Sequence, residues 1–276
     1  MPKCIYCGKS AGLFRRLHKE CKAAFEEGNA QMKTIFREVL DSAAPIADRV
    51  PELQRIADAA HINEKQRLAV YREAYEDMVT DFLDDDVLTQ EEEDRLLAFK
   101  DGLQLGQAEL DTKGLFSRVV MAGTLRDLGE GKQPKRVNLG RSVPFLFQKS
   151  EYVIWVFPNV DLYEPHTRTE YQGRSQGMSF RVAKGVYYRT GSFKGLPVQI
   201  SELKHQGNGM LALTNKQFYF HGGLKAFKLP YNKLVTMEVF EDGLRMQKDG
   251  VRSKQQTYRG VDGWFVQNAV NNVMSS

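Results

Sequence analysis

All three cysteines of this chain fall within its first 21 residues, and a histidine stands beside the last of them. Cys4 and Cys7 form a C-x-x-C pair, and His18 and Cys21 form an H-x-x-C pair. Two ligands three apart, followed after a short loop by two more, close a tetrahedron around zinc. Thiolate and imidazole select zinc over calcium or magnesium. Gly8 follows the second cysteine and gives the knuckle a residue free to take a positive φ. Four protein ligands leave no position open for water, so the expectation is a structural zinc and not a catalytic one. A segment built this way wraps an ion instead of burying a core. A disulfide framework would leave one thiol odd, and a redox C-x-x-C lacks a surrounding βαβ pattern.

Charge is distributed unevenly. The net charge of +4 divides at Gly140 into roughly −4 before and roughly +8 after. The first 22 residues are a basic island: Lys3, Lys9, Arg15, Arg16, Lys19 and Lys22 against Glu20 alone. One reading is partial neutralisation of a three-thiolate centre; the other is an anion-binding knob.

The period of the apolar residues changes along the chain, which predicts an α+β protein. Its parts are a zinc knuckle (1–22), a helical domain (23–128), a linker (129–142) and a β domain (143–276). A helix starting near Leu17 would carry His18 and Cys21 on its first turn, three apart and on one face. Phe25, Met32, Ile35, Phe36, Val39 and Leu40 continue a stripe at helical spacing, and Pro45 and Pro51 break it. Leu68, Tyr71, Tyr75, Met78, Val79 and Phe82 form a second stripe. Thr89 to Glu92 reads as a capping box opening a helix with Leu96, Leu97 and Leu103. A last segment carries Leu115, Phe116, Val119 and Val120. Asp84 does not begin an EF-hand, because Leu88 and Thr89 stand where an oxygen ligand and a glycine are needed. The passage Asp86 to Glu92 resembles the turn of small helical TerB-like domains.

After the linker come short β-forming runs: Tyr152 to Phe157, ended by Pro158; Met178 to Val182; Gly185 to Arg189; Met210 to Thr214 and Gln217 to Phe220 around an Asn215-Lys216 turn; Ala226 to Pro230; and Val235 to Phe240 with Leu244 to Gln247 around Glu241-Asp242-Gly243. Such spacing predicts an antiparallel sandwich or barrel. An amphipathic helix from about Asp262, with Phe265, Val266, Ala269, Val270 and Val273, would cover its open end.

The run Gly209 to Phe220 resembles the central hairpin of GRAM domains, members of the pleckstrin-homology (PH) superfold. The likeness extends to Leu229-Pro230, the Glu241-Asp242-Gly243 turn and the terminal helix, across roughly 143–276. The whole chain is similar to bacterial proteins of unknown function that join a zinc ribbon to such a domain. The resemblance implies a seven-stranded bent barrel closed by a helix, with no fixed ligand. Some members of the superfold hold lipid phosphates on early strands and loops, where this chain has Arg174, Arg181, Lys184, Arg189 and Lys194.

Catalytic signatures are missing from the sequence. The five histidines, His18, His61, His166, His205 and His221, form no H-x-H or H-E-x-x-H pair. There is no G-x-S-x-G elbow, and Gly191 to Gly195 has the wrong spacing for a phosphate loop. His205 and His221 read as surface or loop residues. No apolar run reaches the ~20 residues needed to span a bilayer, and the first residues carry no secretory stretch. Reduced thiols at a metal fit the cytoplasm, with peripheral attachment to a membrane left open.

The expectation is therefore a non-enzymatic zinc-binding adaptor whose β domain meets a protein partner or an anionic membrane surface. The alternatives are a nucleic-acid-associated protein using the basic knuckle and basic β domain, and an enzyme with a site assembled between domains.

Overall fold

The computed structural model describes residues 2–275 except 13–14, 43, 86, 112–113, 135–142, 173–174, 184–185, 194–195 and 251–252, and for 168–200 the backbone alone. The chain divides into two compact units, Met1–Arg136 and Val137–Ser276. The first is helical beyond its N-terminal knuckle; the second is an antiparallel sheet with a C-terminal helix.

The helical unit runs α1 (Lys19–Ser42), a 3-10 turn (Ile46–Arg49), α2 (Val50–Ala59), α3 (Glu64–Phe82), α4 (Gln90–Gly102), α5 (Gln107–Leu110) and α6 (Leu115–Gly129). The break at the two prolines is also a start. Pro51 occupies the first turn of α2, where its missing N–H would have no partner anyway. The two apolar stripes become the core: Met32, Ile35, Phe36 and Val39 of α1 meet Tyr71, Tyr75, Met78 and Val79 of α3, while Phe25, Leu40 and Leu68 are partly buried against them. Phe36 stands edge-on to Tyr71 at 5.7 Å and to Phe99 of α4 at 5.6 Å, so three helices share one aromatic contact. Each such fully buried side chain contributes roughly 1.5–3 kcal/mol. Gly28 lets α1 and the end of α2 cross closely, since a Cβ there would lie 2.4 Å from that of Ala60.

Two capping boxes start helices. Thr89 accepts from the Glu92 amide at 3.2 Å while the Glu92 carboxylate accepts from the Thr89 amide at 2.8 Å. Asn63 and Gln66 do the same for α3, at 3.0 Å each way. An ion pair locks α6 to α4: Arg126 lies 2.5 Å from the Glu93 carboxylate, with side chains 11% and 6% exposed, and also donates to the Leu88 carbonyl at 3.0 Å.

The second unit holds a seven-stranded sheet in the order β6-β5-β4-β1-β9-β8-β7 and a separate pair, β2-β3. The strands are β1 (Val153–Gln172), β2 (Ser175–Ala183), β3 (Val186–Phe193), β4 (Leu196–Thr214), β5 (Gln217–Gly222), β6 (Ala226–Pro230), β7 (Leu234–Phe240), β8 (Gly243–Lys248) and β9 (Gln256–Arg259). The sheet is open, with β6 and β7 as its edges, so the closed barrel expected from the resemblance is not formed. The hairpins at Asn215-Lys216 and Glu241-Asp242 are present as β4-β5 and β7-β8. Gly243 lets β8 pass close to β9, because a Cβ there would lie 1.9 Å from the Tyr258 carbonyl oxygen.

Pro158 does not end the first strand. β1 spans 20 residues in all and runs on to Gln172, and a register shift between Phe157 and Val160 absorbs the proline. A bulge frees that position from ladder pairing, which is where strands tolerate proline. Among the described residues, β1 beyond Tyr163 pairs with nothing but β4. Its last pair is Gln172↔Leu196, and the β2-β3 pair begins at Ser175↔Phe193. The result is a two-stranded ribbon that leaves the sheet.

At the root of this ribbon Glu164 is 9% exposed. It accepts from Lys225 at 2.5 Å and from Gln256 at 3.1 Å, and Gln256 in turn accepts from the Tyr258 hydroxyl at 2.9 Å. Burial alone would raise the Glu164 carboxyl's pKa, but the Lys225 and Gln256 hydrogen bonds outweigh it and hold it below the usual carboxylate range. The last helix, α7 (Gly263–Ser275), begins where the sequence places it. Asp262 accepts from the Phe265 amide at 2.9 Å, and the Phe265 ring meets Trp155 and Phe157 of β1 edge-on. Among the described residues no helix is long and apolar enough to cross a membrane.

Candidate metal centre

The knuckle is built by backbone hydrogen bonds before any ligand is counted. The Cys4 amide donates to the Lys9 carbonyl at 2.7 Å and the Gly8 amide to the Cys4 carbonyl at 2.9 Å. Gly8 takes φ +71°, a left-handed conformation that favours glycine. The Ile5 amide donates to the Arg16 carbonyl at 3.0 Å, which brings the residues preceding α1 back over the turn. Tyr6 then rests on Phe25 of α1, ring centroids 4.8 Å apart.

This closure gathers Cys4, Cys7, His18 and Cys21, whose ligand atoms all lie within 4.8 Å of one another. His18 is the residue before α1, and Cys21 sits in its first turn. The His18 Nδ1 lies 3.4 Å from the Cys7 sulfur and 3.5 Å from that of Cys21. A tetrahedron with arms of about 2.3 Å to sulfur and 2.0–2.1 Å to nitrogen has N–S edges of roughly 3.6 Å, so these separations fit a single zinc-sized ion. Orientation agrees with distance. The His18 Nε2 lies 3.0 Å from the Ser10 carbonyl oxygen. A carbonyl only accepts, so Nε2 carries the proton and Nδ1 turns its lone pair toward the sulfurs. That carbonyl leaves no mark in the sequence, since any residue at position 10 could supply it.

The thiols are not equivalent. Burial pushes Cys4 up, but the backbone amides of Cys7, His18 and Tyr6 outweigh it and bring the thiol down to about 6. Burial and the neighbouring Cys7 push Cys21 up to about 11. The Ser10 carbonyl and the Cys7 sulfur raise His18 above its ordinary value. Cys4 is thus the standing anion of the set, while Cys21 keeps its proton at neutral pH unless a cation replaces it. A soft, closed donor set of three thiols and one imidazole can hold a metal ion such as zinc. Bound there, zinc would tie the knuckle to the first turn of α1.

The basic candidates of the β domain fare differently. Arg174, Lys184 and Lys194 lie outside the described residues. Arg181 and Arg189 are placed by backbone only, opposite Tyr187 and Ser179 in the β2-β3 pair; their side chains lie outside the described residues. His205 and His221 are exposed, on strands β4 and β5 and not in loops. His205 Nε2 lies 2.9 Å from the Asp161 carboxylate, and that hydrogen bond lowers the Asp161 carboxyl's pKa.

No protein-family model matches the chain, and no curated protein or solved structure is detectably similar to it.

Proposed function

We propose that the protein is a non-enzymatic adaptor. The knuckle holds a structural zinc and braces α1, the TerB-like helical unit serves as scaffold, and the sheet unit is a PH/GRAM-like module. That module docks on an anionic surface, either an acidic protein or membrane headgroups. The ribbon carries this reading. Past Tyr163 and before Asn208, the described residues of β1 and β4 form ladder pairs only with each other, and an isolated two-stranded ribbon is marginal in water. Between residues 164 and 204 the sequence places seven Lys and Arg against three Glu. A two-stranded stretch with this excess of positive charge is suited to contact with an anion outside the chain. Arg181 and Arg189 stand on β2 and β3; with Arg174, Lys184 and Lys194 of the same stretch of sequence they would supply the charge that meets the anion, each worth about 1 kcal/mol near an anionic surface. The setting fits a cytoplasmic protein attached peripherally.

The test is sedimentation with vesicles of phosphatidylcholine, with and without phosphatidylserine. Arg181→Glu with Arg189→Glu should weaken anionic-vesicle binding roughly 10- to 100-fold without lowering the melting temperature of the sheet unit. Equal binding by the variant would move the surface off the ribbon. Indifference of the wild type to phosphatidylserine would leave the acidic protein as the partner.

A further inference from the structure

An adaptor needs a second surface, and the helical unit presents one at its metal end. Lys3, Lys9, Arg15, Arg16 and Lys19 are all exposed. Among the described residues none of the five forms an ion pair or a side-chain hydrogen bond; the salt bridge nearest in sequence is Lys22 with Glu26. If these cations served to neutralise the thiolates, they would lie against the sulfurs. No such contact is found among the described residues: the groups that stabilise the Cys4 thiolate are the amides of Cys7, His18 and Tyr6, and the His18 Nδ1 lies 3.4 and 3.5 Å from the Cys7 and Cys21 sulfurs. The positive charge of the knuckle is therefore left for solvent or a ligand.

The rest of the unit sharpens that field. Residues 23–136 carry 15 basic against 24 acidic side chains, a net charge of about −9. Eight of those acids fall between Asp81 and Asp94, with no base among them. Its members Glu91 and Asp94 lie near the end of α1 opposite the knuckle. Glu91, Asp94 and Arg95 line one cavity with Val39 and Pro45, and Arg95 donates to the carbonyl of Leu40. The 24 residues of α1 separate the two poles by roughly 35 Å, several times the Debye length of about 8 Å at physiological salt. The poles do not cancel each other.

We propose that the basic face of the knuckle binds the phosphate backbone of a nucleic acid strand. The dipolar layout favours this over a membrane. An anionic bilayer is a plane that would meet the acidic body together with the knuckle. A linear polyanion can touch the positive pole alone while the acidic body keeps it from sliding elsewhere. The proposal deepens the reading of the knuckle as metal-braced, because a bound ion would hold in place the loop that carries these five cations.

The experiment uses the full chain. Binding of a labelled oligothymidylate is followed by fluorescence anisotropy across a salt series, with metal content measured by atomic emission on the same samples. Wild type should bind with a steep salt dependence. Lys9→Glu, Arg15→Glu and Arg16→Glu together should weaken binding roughly 100-fold near 0.1 M salt and flatten the log–log slope by about 2, as expected for three lost phosphate contacts. Metal content should not change. If the triple variant sheds its metal, the milder Lys9→Gln, Arg15→Gln and Arg16→Gln set is used, with a loss of about 10-fold expected. Arg181→Glu with Arg189→Glu should leave oligonucleotide affinity within a few-fold of wild type. The proposal is overturned if wild type ignores the oligonucleotide at low salt, if the ribbon variant loses binding while the knuckle variant keeps it, or if the knuckle variant loses affinity only for phosphatidylserine vesicles. A metal-free wild type that still shows the knuckle-dependent binding would refute the zinc reading and leave the nucleic-acid contact standing.

Discussion

In the helical unit the polar groups that set the fold mostly lie close together in the chain; in the sheet unit they lie far apart. Cys4 and Cys7, His18 and Cys21, Asn63 and Gln66, and Thr89 and Glu92 are each separated by three positions. Glu164, by contrast, is satisfied by Lys225 and Gln256, 61 and 92 residues away. Local groups organise a helix as soon as it forms, whereas a buried carboxylate in a sheet waits for distant strands to arrive. Damage to the first unit should therefore be local and damage to the second cooperative. The two tryptophans, Trp155 and Trp264, both belong to the sheet unit. Tryptophan emission thus follows one unit, while far-ultraviolet ellipticity at helical wavelengths follows mainly the other.

The largest effect expected is that of Cys7→Ser. Three ligands hold zinc far more weakly than four, and structural zinc supplies on the order of 10 kcal/mol to a small site. Metal content should fall to background and helical ellipticity should drop as the first turn of α1 frays, with tryptophan emission unchanged. A shift in the tryptophan-detected melting would break the comparison, because it would mean that the knuckle stabilises the sheet.

Arg126→Ala comes next. It removes the Arg126 guanidinium from the buried Glu93 carboxylate, a loss on the order of 3–5 kcal/mol. The helical transition should move to lower denaturant by that amount. Changing both partners, Arg126→Met with Glu93→Gln, should cost less than the single change, since no charge is then left buried. A double variant worse than the single would assign the effect to packing and not to charge.

These two sites also mark where the sequence is readable. Ligand spacing and the Thr89 box follow from chemistry within a few residues, and both are found where the pattern puts them. The Asn63 box was equally local and needed only the same rule at Asn-x-x-Gln. The Arg126–Glu93 pair spans 33 residues and has no period to announce it. The sheet is legible where hairpins are tight, at Asn215-Lys216 and Glu241-Asp242, and illegible where strands meet over distance. β9 reads Gln256-Thr257-Tyr258, too polar for a core strand, yet all three residues are buried. Their polar atoms find partners that only the assembled sheet supplies. The ribbon was hidden by Pro158 and Pro165, which end strands as a rule and here are carried by a bulge and a long antiparallel pair.

Lys225→Met probes the distant kind of contact and carries a pH signature. The Glu164 pKa is depressed in the folded protein, so the stability it contributes is fully present above its unfolded value and is lost as pH falls through the folded one. At neutral pH the variant should lose about 1–3 kcal/mol, the scale of a charged hydrogen bond left half-made. Once the pH falls below the depressed folded pKa, a protonated Glu164 no longer needs the lysine, and the two proteins should converge. The measurement is urea unfolding followed by tryptophan emission at several pH values. A deficit that persists unchanged into acid would show that Lys225 acts through its aliphatic stem.

The smallest effects belong to the caps. Thr89→Ala and Asn63→Ala each remove one side-chain acceptor from a helix start, worth typically ~1 kcal/mol. The two boxes begin different helices, α4 and α3, and share no partner. Their costs should therefore add in the double variant to within about 0.5 kcal/mol, read from the helical transition alone. Thr89→Ser should recover most of the loss, because the hydroxyl that accepts the Glu92 amide is restored. A super-additive double variant would mean that the starts of α3 and α4 are coupled through the core at Tyr75 and Phe99, whose rings lie 6.2 Å apart. The helical unit would then be as cooperative as the sheet, and the contrast between local and distant specification would not hold.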